Sequence, residues 1–174
     1  MDGRYDTLLS AGQRKITATS GVAVVLVVID ELAYFSATVG DSKQQKEFVN
    51  LVRDLVARGR AAGVIVVGAT QRPSSDIVPT SLRDLFGYRL AFRCSTDSSS
   101  DVILGHGWAN EGYTASDIDP GTRGVGWLIA EGGMPRRIRT AYLTDDQVSQ
   151  LADRAATLRS QDWGPGLFDE VGVS

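Results

Sequence analysis

Two aliphatic runs, each closing on polar residues, frame this chain. Val24-Val25-Leu26-Val27-Val28-Ile29 leads into Asp30-Glu31, and Val64-Ile65-Val66-Val67 leads into Gly68-Ala69-Thr70-Gln71-Arg72-Pro73. An aliphatic run without alternation predicts a strand apolar on both faces, buried in a parallel sheet covered by helices. Between the runs, Phe48, Leu51, Val52, Leu55 and Val56 recur at i, i+3, i+4, i+7 and i+8, so Lys43 to Ala62 reads as an amphipathic helix. Asp41 or Ser42 can cap its start, and Gly63 stands where a helix end favours glycine. Strand, helix and strand make a right-handed βαβ crossover.

The flanking pattern is less regular. Met1 to Leu9 reads as the end of a helix, joined to the first strand by the polar connection Ser10 to Gly21. After the second strand come a loop from Pro73 to Pro79, a short helix near Ser81 to Phe86, a third strand from Tyr88 to Arg93, and a capped helix from Asp97 to Leu104. Gly105 to Gly126, rich in Gly, Asn, Asp and Pro, reads as an ordered surface excursion. Trp127 to Ala130 and Ile138 to Leu143 flank Glu131-Gly132-Gly133-Met134-Pro135 and predict a β-hairpin. Thr144, with Gln147 three residues on, starts a last helix reaching about Arg159, and 160–174 reads as a flexible tail. The expectation is one α/β domain over 1–159, a partial RecA-like P-loop NTPase core whose mostly parallel sheet is flanked by helices and followed by a hairpin and a helix.

Composition narrows the chemistry. The 174 residues carry a net charge of −3 with both signs interspersed, so no basic block advertises nucleic acid. One Cys, Cys94, and one His, His106, exclude an internal disulfide and an ordinary Cys/His zinc site. Cys94 is expected to pack as a small hydrophobe, and His106 to be a polar surface residue in a Gly-rich loop. The aliphatic runs are too short to span a bilayer, and Met1-Asp2-Gly3-Arg4-Tyr5-Asp6 is no signal peptide, which points to a reducing, cytoplasmic setting.

Ligands of parallel sheets bind beyond the carboxyl ends of the strands, where Asp30-Glu31 and Thr70-Gln71 fall. An acid pair after a buried strand is a Walker B element: the first acid, Asp30, would hold Mg²⁺ and the second, Glu31, would orient or deprotonate the attacking water. Such a site also needs a glycine-rich cradle of the form G-x-x-x-x-G-K-[ST]. The nearest imitation, Ser10 to Thr17, lacks both the glycine spacing and a preceding strand. The acids therefore stand in this stretch without the phosphate cradle.

Arg4-Tyr5, Val28-Ile29-Asp30-Glu31, Ala57-Arg58-Gly59-Arg60-Ala61-Ala62-Gly63-Val64 and Ala69-Thr70-Gln71-Arg72-Pro73, in this order and spacing, resemble the FtsK/SpoIIIE family of hexameric DNA-translocating ATPases. Leu90 to Arg93, Asp97 to Asp101, Ile103-Leu104-Gly105 and Gly121 to Gly126 are similar to its later strand, helix and turn. The segment from Gly107 to Pro120 with the hairpin after it is most similar to actinobacterial conjugative transfer ATPases of the TraB type. The resemblance covers roughly Met1 to Arg159, as the C-terminal part of a motor domain.

This resemblance implies a RecA-like motor, ATP with Mg²⁺, a homo-hexameric ring and double-stranded DNA in its channel, for DNA segregation or conjugative transfer. By position, Asp30 is the magnesium-side acid, Glu31 the catalytic acid, and Gln71, with Thr70, the reader of the γ-phosphate. Arg60 is the finger reaching a neighbour's ATP. The loops Ser36 to Lys43 and Ser74 to Arg83 face DNA, with Lys43, Arg72 and Arg83 as its cations. Without the P-loop, the chain alone is expected to be inactive in ATP hydrolysis and to need a partner supplying the Walker A half. Two readings stay open beside this one: a non-catalytic interaction or capping subunit of a motor ring, and a metal-dependent hydrolase built on Asp30 and Glu31.

Overall fold

The structure, a computed structural model, describes residues 1–17 and 20–163, with side chains of the last helix described as far as Arg159. It falls into two units, Met1–Arg139 and the stretch from Thr140 onward. In the first unit α1 (Asp2–Ser10) precedes β1 (Val25–Ile29), a π-helical turn (Tyr34–Thr38), α2 (Ser42–Gly59) and β2 (Val64–Gly68). Then follow α3 (Thr80–Arg83), β3 (Tyr88–Phe92), α4 (Asp97–Leu104), β4 (Val125–Ala130) and β5 (Arg136–Arg139).

β1 and β2 pair in parallel, Val25 opposite Val64 through Ile29 opposite Gly68. The helix between them begins with a full capping box: the Asp41 carboxylate accepts from the Lys43 and Gln44 backbone N–H groups, and the Gln44 amide oxygen accepts from Asp41 N–H at 2.9 Å. The chain then turns back through Gly63, at φ +71°. Gly59 is required for a different reason. A Cβ there would stand 2.7 Å from the Val64 carbonyl oxygen, so the end of α2 approaches β2 more closely than a side chain permits.

Arg4 ties α1 to this crossover, donating through Nε to the Ala62 carbonyl at 2.8 Å and through Nη2 to the Ala23 carbonyl, while the Tyr5 hydroxyl donates to the Arg58 carbonyl. The Arg4-Tyr5 pair thus ties the entry to β1 to the junction of α2 and β2.

The structure corrects one expectation about the sheet, that both faces of β1 and β2 are buried. β1 and β2 are covered on one face only: Leu26 and Val28 are 58% and 63% exposed, and Ile65 and Val67, opposite them in register, are 49% and 48% exposed. A parallel pair needs helices on both faces, and among the described residues only one side has them. The third strand stands apart from this pair. β3 pairs antiparallel with β4, and β4 with β5, so a separate three-stranded sheet ordered β3-β4-β5 forms.

Two apolar clusters hold the unit. Leu32, Ala33, Ile77 and Val78 gather beside the ends of β1 and β2, with Ile29, Phe48 and Val102 against them. Ala91, Leu104, Ala115, Ile118 and Ile129 form the second. The excursion from Gly105 to Gly126 is therefore more than surface, since it delivers Ala115 and Ile118 to a core. Its ordering comes from side chains: Asp101 accepts from the Gly107 and Ala109 N–H groups, and Trp108, Tyr113 and Trp127 meet edge to face. In the second unit α5 (Asp145–Trp163) starts from the reciprocal Thr144 and Gln147 cap read from the sequence. It runs past the expected tail boundary at 160, and 164–174 lie outside the described residues.

Candidate functional site

The parallel register brings the two polar strand ends side by side. Leu32 N–H donates to the Ala69 carbonyl and Ala69 N–H to the Ile29 carbonyl, both at 2.8 Å, extending the ladder past the strands and fixing Asp30-Glu31 against Thr70-Gln71. Glu31 is the centre of the contacts. Its Oε1 accepts from the Thr70 hydroxyl at 2.5 Å and from Ala33 N–H at 3.1 Å, and its Oε2 accepts from Gln71 N–H at 3.0 Å. Thr70 Oγ1 in turn accepts from Arg72 N–H at 3.2 Å.

These bonds stabilise the charged carboxylate. The Thr70 hydroxyl, then the Gln71 N–H, hold the Glu31 carboxyl below its ordinary pKa; burial opposes them, and Ala33 N–H and the Arg72 charge add to them. Asp30 differs: it is exposed, and among the described residues its carboxylate has no hydrogen bond or ion pair. One free carboxylate at a strand end suits Mg²⁺, which keeps most of its waters and takes one or two protein carboxylates together with substrate phosphates. Among the described residues no group of three or more acids, His or Cys could enclose a metal alone.

The Gln71 side chain is exposed, while its backbone serves Glu31. Arg60, following the last turn of α2, is 85% exposed and reaches Glu131 of the β4–β5 turn at 3.2 Å. Sequence reasoning missed Glu131, read only as part of a turn. Its φ of +50° is the one positive value on a described non-glycine residue, and with Gly132 at +77° it gives the pattern of a type I′ turn, which normally takes Asn or Gly there.

The three DNA candidates are not equivalent. Lys43 lies exposed in the first turn of α2, and Arg72 is exposed just after Thr70-Gln71. The Arg83 side chain is only 12% exposed and both its Nε and Nη2 meet the Asp84 carboxylate at 2.8 Å, so it has little to offer a phosphate. Cys94 packs against the second core, where burial pushes its thiol pKa up, and His106 is almost fully exposed.

Comparison with known proteins places this geometry. None of the protein-family models matches the chain. It superposes on the pCW3 conjugation coupling protein TcpA, solved as a monomer with ATPγS, with a TM-score of 0.71 at 19% identity, over 91% of this chain and 45% of that one. The cytoplasmic domain of the Thermomonospora curvata type VII secretion ATPase EccC gives 0.63 at 19% identity, over 84% of this chain and 17% of that one. The fold is that of P-loop ATPase motor domains. In sequence the chain is 31% identical over 147 residues to the DNA translocase FtsK of Corynebacterium glutamicum, and 30% identical over 137 residues to that of Pseudomonas aeruginosa. It belongs to the FtsK/SpoIIIE family. The matches take in 84% and 77% of this chain but only 14% and 15% of those relatives, so it corresponds to a segment of them.

Proposed function

We propose that this chain is the part of an ATP-driven double-stranded DNA translocase that carries the Walker B acids, the γ-phosphate sensor and the arginine finger, with the phosphate cradle supplied from outside these residues. The observation that carries the reading is the junction of Glu31 with Thr70 and Gln71 across β1 and β2, which makes the acids and the sensor one rigid unit at the strand ends. The open face of Leu26, Val28, Ile65 and Val67 supports it, because a parallel sheet of this composition is completed by further covering elements.

In this reading Asp30 holds Mg²⁺, which supplies charge neutralisation at the phosphates. Glu31 orients the attacking water, Gln71 extends its free amide to the γ-phosphate, and Thr70 sets the Glu31 rotamer. Arg60 at the subunit surface stabilises a neighbour's transition state, and Lys43 and Arg72 follow the DNA backbone through its phosphates. A homo-hexamer would repeat these few cations around the duplex. No described helix is long and apolar enough to cross a membrane.

The test joins this chain to the upstream sequence of its own reading frame, or to a separate partner carrying the cradle, and measures DNA-stimulated ATP turnover. Turnover that falls ~10²-fold or more on Glu31→Gln supports the assignment. Turnover indifferent to that change removes it.

One observation favours a second reading, a non-catalytic subunit that caps a motor ring. Glu31 has both oxygens engaged by three donors, an arrangement that holds two strand ends together whether or not it activates water. Calorimetry decides this: association with an active relative, but no Mg-ATP binding in the complex attributable to this chain's acids, selects the capping role.

A further inference from the structure

We propose that Arg137 and Arg139 of β5, with Arg93 just past the end of β3, form an anion site that takes a run of phosphate groups, Arg136 adding its charge from the opposite face of the strand. These residues belong to the β3-β4-β5 sheet, whereas Asp30, Glu31, Thr70 and Gln71 follow the β1-β2 pair.

Three observations carry it. The first is density: three of the four residues of β5 are arginine, and all three are exposed, in a chain of net charge −3. The second is the absence of compensation. Arg58, Arg60, Arg83 and Arg89 each lie within ion-pair distance of a carboxylate, whereas among the described residues none lies within that distance of Arg93, Arg136, Arg137 or Arg139.

The third is register. Arg137 stands opposite Trp127 and Arg139 opposite Val125, so the two share a sheet face about 7 Å apart along the strand. Phe92 pairs with Gly126, which brings Arg93 to the level of Val125 and puts it on that same face, roughly 10 Å from Arg139 across two strand spacings. Guanidinium groups in such a row present forked donors that match phosphate oxygens in pairs.

A charged residue on an edge strand also guards against sheet-to-sheet aggregation, and β5 is an edge among the described residues. One or two charges serve that purpose. Three within four residues, with no acid between them, concentrate a field that an anion would answer. The phosphates can come from the backbone of a DNA duplex or from a nucleotide triphosphate.

The experiment uses the whole chain and two probes at low ionic strength: a short fluorescein-labelled duplex followed by anisotropy, and inorganic tripolyphosphate followed by backbone amide shifts. The variants are Arg136→Gln/Arg137→Gln/Arg139→Gln, the matching Arg→Lys set, and Lys43→Gln/Arg72→Gln as the contrast. If the duplex is the source, the Gln set weakens its binding about tenfold or more and lowers the log–log salt slope by roughly 0.9 for each phosphate no longer neutralised, while the Lys set retains most of it. If the triphosphate is the source, tripolyphosphate shifts amides of β5 in the parent and not in the Gln set, and the duplex does not displace it. Circular dichroism establishes that the variants fold; should the triple Gln set not fold, Arg137→Gln and Arg139→Gln singly must each reduce affinity. The proposal is overturned if the parent binds neither probe, or if folded Gln variants bind both as the parent does. Loss of binding only in the Lys43 and Arg72 variant overturns it equally and leaves β5 the role of a guarded edge.

Discussion

The Thr70 hydroxyl donates to Glu31 Oε1 at 2.5 Å, joining residues 39 positions apart in sequence across the ends of two parallel strands. This bond makes the ends of two strands a single structural object, and the first expectation concerns its removal. Thr70→Val keeps the shape and deletes the donor. It is expected to cost about 1 kcal/mol in chemical denaturation, the usual net worth of such a bond, and to raise the Glu31 pKa toward its ordinary value in a carboxyl NMR titration. Thr70→Ser, which keeps a hydroxyl, should restore most of both.

Acid should destabilise the protein through the same group and one other. Asp97 is held below its ordinary pKa first by the Ser116 hydroxyl and then by that of Thr114, as Glu31 is by Thr70 and Gln71. A folded-state pKa below the unfolded value means fewer bound protons in the native state. The stabilisation is therefore complete above the unfolded values, roughly pH 4 to 5, and is lost as pH falls through the folded ones. Urea midpoints taken downward from neutral pH should stay level and then drop, and Asp97→Asn should show a shallower drop. A flat profile would contradict the hydrogen-bonding assigned to both acids.

Gly59→Ala sets two effects against each other. Alanine ordinarily improves a helix by about 1 kcal/mol over glycine. Here its Cβ would meet the Val64 carbonyl at 2.7 Å and Val64 Cβ at 3.1 Å, and overpacking against backbone costs ~1–3 kcal/mol. Net destabilisation in thermal or urea unfolding is the expected result.

Arg60 separates a trans-acting role from a local one. In the complete motor, Arg60→Ala should lower ATP turnover at least ~10³-fold if the guanidinium acts on a neighbour's transition state. The stability of this chain should change by less than ~1 kcal/mol, because the pair with Glu131 is solvent-exposed. Mixed rings combining Arg60→Ala and Glu31→Gln subunits should regain activity at interfaces that keep both groups.

The open sheet face gives a further expectation. Leu26→Glu and Val67→Glu place charges at positions 58% and 48% exposed, so the isolated chain should keep its circular dichroism and lose little stability. Association with the polypeptide that supplies the cradle should fall strongly, as read by co-sedimentation. Unchanged association would remove this face from the interface.

Much of this arrangement was legible in the sequence because it rests on local pattern. The aliphatic runs located β1 and β2, the spacing from Phe48 to Val56 located α2, and Asp41 or Ser42 and Thr144 with Gln147 marked the helix starts, all of them short-range signals of burial or capping. Asp30-Glu31 and Thr70-Gln71 could be assigned to neighbouring strand ends because parallel βαβ connectivity brings them there. What sequence could not decide was which surfaces meet. That β3 joins β4 and β5 rather than β2, that Ala115 and Ile118 enter a core from a glycine-rich excursion and that Arg60 meets Glu131 are all decided by tertiary placement. Strand partners and ion pairs depend on how segments are set against one another, which no periodicity encodes. An aliphatic run reports the demand for burial, and only the tertiary structure reports that Leu26 and Val28 leave that demand unmet among the described residues.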